Sequence, residues 1–176
     1  MVLGGEAMKT IVVLGMHRSA TSLVAKGLHH EIDMGPDLWV GENPTQPHGH
    51  YESRSFVSLN DRILKLAGGH WQRPPPEQHI LAVGEDIRDE IKELVEEAGK
   101  GKEIWGWKDP RTTLTIKCYL PFLENPHFVP VFRDPKEVVK SLVRRNGNKP
   151  AYWVRVVREY NYRLLSFLSE FSSVGG

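Results

Sequence analysis

The chain has one cysteine, Cys118, in 176 residues, so it can form no internal disulfide. A fold with a single thiol must be stabilised by burial alone, and this usage fits a reducing, cytoplasmic compartment. Cys118 lies in an apolar stretch with no base nearby in the sequence and reads as a buried structural thiol. The chain also lacks an apolar run long enough to span a bilayer. Thr10–Leu14 is too short for a signal-peptide core, and His17-Arg18 follows it closely. An excess of either charge is missing too. The 23 Lys and Arg nearly balance the 22 Asp and Glu, for a net charge of +1. That excludes the broad basic surface needed to hold nucleic acid nonspecifically. Charge is nevertheless clustered: residues 85–97 are mostly acidic, and Lys140–Lys149 holds four basic residues and no acid. Internal repeats and low-complexity tails are absent. The reading is a soluble protein with neither membrane nor nucleic acid as partner.

What is present fits one globular domain with one core. Residues 1–8 read as an N-terminal extension and 9–176 as the domain. Thr10-Ile11-Val12-Val13-Leu14 is β-branched without alternation, as expected of a strand buried on both faces of a parallel sheet. Gly15–Ala20 breaks it and Ser22–His30 reads as a helix. Residues 31–51 read as a long loop. Ser53–Ala67 carries an apolar stripe and is expected as an amphipathic helix stopped by Gly68-Gly69. Pro74-Pro75-Pro76 marks a loop, and Glu85–Ala98 a helix. Ile104–Trp107 is expected as a second strand, Thr113–Leu123 as a helix and Phe128–Phe132 as a third strand. Pro130 argues against a central place for that strand. Asp134 is a good N-cap with Pro135 at the first helical position. Ala151–Ser169 is the last helix. Strands alternating with helices predict a three-layer α/β fold, a parallel sheet with helices on both faces. Ligands of such sheets bind at the C-terminal strand edge. Each predicted strand leads there into a charged motif: His17-Arg18-Ser19, Lys108-Asp109-Pro110-Arg111 and Arg133-Asp134-Pro135.

The first of these motifs lies in Gly15-Met16-His17-Arg18-Ser19-Ala20-Thr21-Ser22, between a strand and a helix. There, backbone N–H groups and a helix N-terminus can cradle an anion. The nucleotide-triphosphate loop G-x-x-x-x-G-K-[ST] needs a glycine where Ala20 stands and a lysine where Thr21 stands. The cation is instead Arg18. This arrangement resembles the 5′-phosphosulfate loop of sulfotransferases that use PAPS (3′-phosphoadenosine 5′-phosphosulfate), which reads roughly G-x-x-[RK]-[ST]-G-T-[ST]. Arg18, Ser19, Thr21 and Ser22 match it; Ala20 departs from it. If this position needs positive φ, alanine costs about 1 kcal/mol there.

A second motif strengthens the resemblance. Arg133 is predicted at a strand end, and Ser141 about two helical turns on, an axial distance of roughly 10 Å. An Arg fork and a Ser hydroxyl can hold one phosphate from two sides, and Val131-Phe132-Arg133-Asp134-Pro135 with Ser141-Leu142-Arg145 resembles the 3′-phosphate motif of the same family. The likeness extends through Gly49-His50-Tyr51-Glu52, Asn60-Asp61, His70-Trp71, Trp105–Thr112 and Trp153 to Tyr160-Asn161. It is nearest to short bacterial or phage-like sulfotransferases.

The resemblance implies a P-loop-type sulfotransferase that moves a sulfuryl group from PAPS to a hydroxyl or amine acceptor, leaving PAP, without a metal. Gly15, His17, Arg18, Ser19, Ala20, Thr21, Ser22, Arg133 and Ser141 would bind the donor. Arg18, helped by Lys108, would stabilise charge on the leaving group. Glu52 matches a family Gly-x-x-Glu segment and is the first choice for general base. Asp109 and His50 come next, although Asp109 is better read as pairing with Arg111 or capping a helix. His70 is a candidate for the acceptor pocket. Trp71, Trp105 and Trp107 can stack on adenine or serve as core. The acceptor is expected to be a small molecule or carbohydrate. Phe171–Gly176 carries neither the further strand nor the helix usual in the family, so part of the acceptor site is expected either to be absent or to come from another subunit of a homo-oligomer. Two readings stand beside this one: a P-loop kinase with Asp109 on Mg²⁺, and a non-catalytic nucleotide-binding protein.

Overall fold

The computed structural model describes residues 8–41 and 49–174. The residues before Met8, read from the sequence as extension, lie outside the described part, as do residues 42–48 of the predicted long loop. Met8 itself packs on the core, and strand β1 (Lys9–Leu14) begins at the next residue.

β1 is central. It pairs in parallel with β4 (Ile104–Lys108) on one side and β5 (Pro126–Pro130) on the other. With a strand on each edge and helices on each face, its side chains have nowhere polar to point, hence its unbroken β-branched sequence. Val12 and Leu14 face the larger core, which includes Phe56, Ile63, Trp107, Tyr119, Leu142 and Trp153. Val13 faces the other side, with Ala25 of helix α1 (Thr21–His29) and Met34. Two short strands, β2 (Leu38–Trp39) and β3 (Glu52–Ser53), form an antiparallel pair at the start of helix α2 (Arg54–Leu66). Gly106 in β4 leaves room for β1, since a Cβ there would collide with the Ile11 carbonyl.

Three sequence expectations need correction. The third strand lies two residues earlier than predicted, at Pro126–Pro130. The ladder continues irregularly one residue further, where the Val131 N–H donates to the Leu14 carbonyl at 2.8 Å. By the two-residue period, Pro126 and Pro130 stand where an N–H would face away from β1. Neither proline removes a ladder bond on this edge strand. Second, the helix expected at Glu85–Ala98 starts three residues later, as α4 (Arg88–Gly99), and a helix the sequence did not predict, α3 (Glu77–Asp86), precedes it, the two breaking at Ile87 (φ −113°). α3 starts directly after the prolines and presses Gly84 against Cys118, where a Cβ would lie 2.6 Å from the sulfur. Third, the helix expected to reach Leu123 ends as α5 (Thr112–Tyr119) and tightens into a 3₁₀ turn, Leu120–Phe122.

Helices α6 (Pro135–Asn146) and α7 (Pro150–Val174) close the domain. Asp134 caps α6, its carboxylate accepting from the Lys136 N–H at 2.8 Å. α7 runs beyond the predicted Ser169, and Phe167 and Phe171 on it pack edge-on against Phe128. Among the described residues, no helix is long and apolar enough to cross a membrane. Cys118 is buried, and burial pushes its thiol up to about 12, so it is inert at neutral pH.

Candidate functional site

The three charged motifs meet at the C-terminal edge of the sheet, around a cleft of about 440 Å³. His17, Arg18 and Ala20 of the loop after β1 line it. Gly15 is held from both sides: its N–H donates to Thr113 Oγ1 at 2.9 Å, and the same hydroxyl donates to its carbonyl at 3.3 Å. A Cβ on Gly15 would lie 2.5 Å from the Val131 carbonyl oxygen, so only glycine lets the loop pass β5 this closely. Arg18 (φ 69°) and Ala20 (φ 70°, ψ 17°) both adopt left-handed backbone. The loop thus needs positive φ at the position where the sequence carries alanine. Ser19, Thr21 and Ser22 are buried, and α1 starts at Thr21 with its N-terminus at the cleft.

The two donor motifs of the sequence converge on one residue. Arg18 Nε donates to Ser141 Oγ at 2.9 Å, and an Arg133 guanidinium N–H donates to the Arg18 carbonyl at 3.1 Å. Arg133 does not end its strand as expected. It stands in the loop between β5 and α6 and is exposed. Burial, with Arg133 and Arg144 nearby, lowers the pKa of Arg18 from its ordinary value. An arginine surrounded by cations is poised for an anion.

Glu52 and Lys108 form a buried pair, Nζ to Oε1 2.7 Å. Lys108 also donates to Ser22 Oγ at 3.2 Å, tying the end of β4 to the first turn of α1. Burial raises the Glu52 carboxyl above the usual carboxylate range; Lys108 opposes this and Asp109 adds to it. Burial likewise lowers Lys108 against the pull of Glu52 and Asp109. Glu52 remains at the cleft surface and is the only carboxylate among the described residues lining it.

Asp109 is fully buried and accepts from Arg111 at 2.7 Å and from Asn60 Nδ2 at 2.8 Å. This is the Arg111 pairing expected from the sequence. Arg111 also bonds Asp61 at 2.6 Å. Burial works against the Arg111 charge, but Asp109, Asp61 and Glu52 outweigh it and hold its pKa above the usual value.

The tryptophans separate. Trp105 and Trp107 are fully buried with Phe56 and form core, whereas Trp71 lines the cleft. His17 packs on Trp71 with ring centroids 4.2 Å apart, and its Nε2 is buried without a hydrogen-bond partner. Burial and then Arg111, Arg145, Lys108 and Arg18 push its pKa well below 6.5, so the ring is neutral. On the other wall Trp39 stacks on His50 at 3.7 Å. His70 lies elsewhere: its backbone pairs with Arg73, it is exposed, and it does not line the cleft. A histidine beside Trp71 in sequence is thus turned away from it in space. The sequence carries Arg145 within the second donor motif without a role of its own, and the structure places it in the cleft lining; Trp39, also in that lining, gave no sequence signal.

The cleft offers cations, loop amides and one buried carboxylate, an arrangement suited to moving an anionic group. The fold and the comparison with known families agree. The model of the sulfotransferase family matches residues 10–174, nearly the whole chain, and the chain belongs to that family. No curated protein matches it. It is therefore a transferase-type α/β domain.

Proposed function

We propose that the protein transfers a sulfuryl group from PAPS to a hydroxyl acceptor and releases PAP. The observation that carries this reading is the junction of Arg18, Ser141 and Arg133. These are three groups suited to phosphate and sulfate oxygens, bonded to one another at the mouth of a left-handed loop. Arg133 and Ser141 hold the 3′-phosphate, and the amides and hydroxyls of residues 15–22 hold the 5′ end. The acceptor oxygen forms a bond to sulfur as the bond from sulfur to the leaving phosphate oxygen breaks, and the acceptor proton passes to Glu52. Arg18 stabilises the charge that builds on the leaving oxygen, which requires no change in its own protonation. The Glu52 carboxyl, raised by burial, is a stronger base than an exposed glutamate.

The kinase reading is weakened by Asp109. Both of its oxygens are engaged, by Arg111 and Asn60, and the loop Gly15–Ser22 contains no lysine.

The test is a thermal-shift titration with PAP and with ATP, each with and without Mg²⁺, followed by single-turnover transfer. PAP is expected to raise the midpoint without metal, and Arg18→Ala to slow transfer by a larger factor than it weakens PAP. Tighter, strictly Mg²⁺-dependent binding of ATP would overturn the reading.

A further inference from the structure

The cleft has two unlike walls. On one, the Arg145 guanidinium rests 5.5 Å from the centre of the Trp71 ring, and burial, then Arg18, lowers its pKa from the ordinary value. Arg18 is in turn bonded to Ser141 and Arg133. This cationic wall is the donor side. On the other stand Trp39, His50, Glu52 and Val57, with no Lys or Arg among them.

Backbone pairing builds the second wall. Trp39 and Glu52 are direct partners in the antiparallel register of β2 and β3. Such partners point to the same side of their ladder, so indole and carboxyl stand next to one another. His50 stacks on the indole, with ring centroids 3.7 Å apart and planes within 12°. That covers one face of the indole. Trp39 is still 37% exposed, so aromatic surface remains for a ligand.

At this wall the cleft adjoins a second hollow of about 330 Å³, lined by Trp39, Glu52, Arg54, Val57 and Ser58. Trp39, Glu52 and Val57 line both spaces, so Glu52 stands where they meet. The surface of the hollow is almost wholly apolar, although Arg54 and Ser58 edge it. A sugar ring placed there would surrender the hydration of several hydroxyls and find few partners for them. A flat apolar ring would give up nothing polar and would gain contact with the indole. An apolar recess with one polar group at its mouth is the usual build of a small-molecule site, the polar group fixing the orientation of the ligand.

We propose that this hollow is the acceptor subsite and that it takes an aryl alcohol, with the ring against Trp39 and Val57 and the phenolic hydroxyl directed to Glu52. This rests on the PAPS reading above, in which Arg18, Arg133 and Ser141 are taken up by the donor and Glu52 receives the acceptor proton. The bonds made and broken are those of that transfer, with the aryl oxygen as the nucleophile. Trp39 is then a residue that selects the acceptor, and its loss should spare the donor.

The experiment uses the full chain saturated with PAP and measures dissociation constants for 2-naphthol, its saturated analogue decahydro-2-naphthol, and methyl glucoside. All carry a hydroxyl on a ring; they differ in flatness and polarity. 2-Naphthol is expected to bind at least about threefold tighter than the saturated analogue and at least about tenfold tighter than the glucoside. Trp39→Ala should erase the preference for the flat ring, and Trp39→Phe should keep it. Val57→Trp, which fills the hollow, should weaken 2-naphthol by at least about tenfold. Each variant should change the PAP constant by less than about threefold. Melting of each ligand-free variant shows that it is folded. The proposal is overturned if the saturated analogue or the glucoside binds as tightly as 2-naphthol, or if the preference survives Trp39→Ala. It is equally overturned if Trp39→Ala weakens PAP as much as Arg133→Ala does, which would make Trp39 a donor residue. Failure of the wild type to bind PAP at all would instead remove the donor reading on which the proposal stands.

Discussion

Arg18 Nε and Ser141 Oγ are 2.9 Å apart although 123 residues separate them in the chain. The bond links the loop after β1 to the flank of α6 and places both recognition motifs on one side of the cleft. It predicts a graded response. Arg133→Ala should weaken PAP by roughly 1.5–3 kcal/mol, the cost of a lost charged hydrogen bond. It should leave adenosine 5′-phosphosulfate, which has no 3′-phosphate, nearly unaffected. Ser141→Ala should weaken PAP by about 0.5–1.5 kcal/mol. It also removes a partner of Arg18, so it should slow transfer as well. Calorimetric titration of both ligands checks this; equal losses for both would sink the 3′-phosphate role.

The Glu52–Lys108 pair predicts the pH dependence of transfer. A base must be deprotonated to act, and burial raises the Glu52 pKa. The acid limb of the single-turnover rate should therefore lie above the usual glutamate value of about 4.3. Glu52→Gln should remove the limb and slow transfer while leaving PAP binding nearly intact. Lys108→Met removes the opposing cation and should move the limb to still higher pH. It should also destabilise the fold by about 3–5 kcal/mol, as when one partner of a buried pair is lost. A rate profile unchanged in Glu52→Gln would pass the base role to His50, since Asp109 is committed to Arg111.

His17 predicts acid sensitivity of the fold. Its folded-state pKa lies well below 6.5 because burial, Arg111 and Arg145 disfavour its charge. Below about pH 6.5 the unfolded chain takes up a proton that the folded state refuses. Stability is then lost as pH falls through that value, by up to about 1.4 kcal/mol per unit. His17→Asn should lose less stability than wild type between pH 7.5 and 5.5 in urea melts. Equal losses would mean that His17 does not carry the effect.

Ala20 sits at φ 70° in the loop, where a Cβ is strained. Ala20→Gly should stabilise the protein by up to about 1 kcal/mol, the relief of strain offset by the greater freedom of glycine in the unfolded chain. Denaturant melting checks the sign, and a loss of stability would show that the left-handed geometry is not what limits this loop.

Much of this molecule was legible in one dimension because the signals are local. The unbroken β-branched run of β1, the Asp134-Pro135 cap and the spacing of Arg18, Ser19, Thr21 and Ser22 depend on neighbouring residues alone. They sufficed for the parallel sheet and for the family. The break at Ile87 left no mark, because no glycine or proline makes it; the packing of α3 on α5 through Gly84 and Cys118 does. The shift of β5 had the same origin: its register is set by hydrogen bonds to β1, which tolerate its prolines only on the outer edge.

The chemistry of the site was divided along the same line. Residue types and spacing were enough to mark Arg18, Arg133, Ser141 and Glu52 as candidates. Only tertiary structure decided that Ser141 bonds Arg18, that Lys108 is buried against Glu52, and that Trp71 faces the cleft while Trp105 and Trp107 do not. Burial and charge pairing depend on which distant segments come together, and both fall off steeply with distance. Sequence spacing does not encode them beyond a few residues.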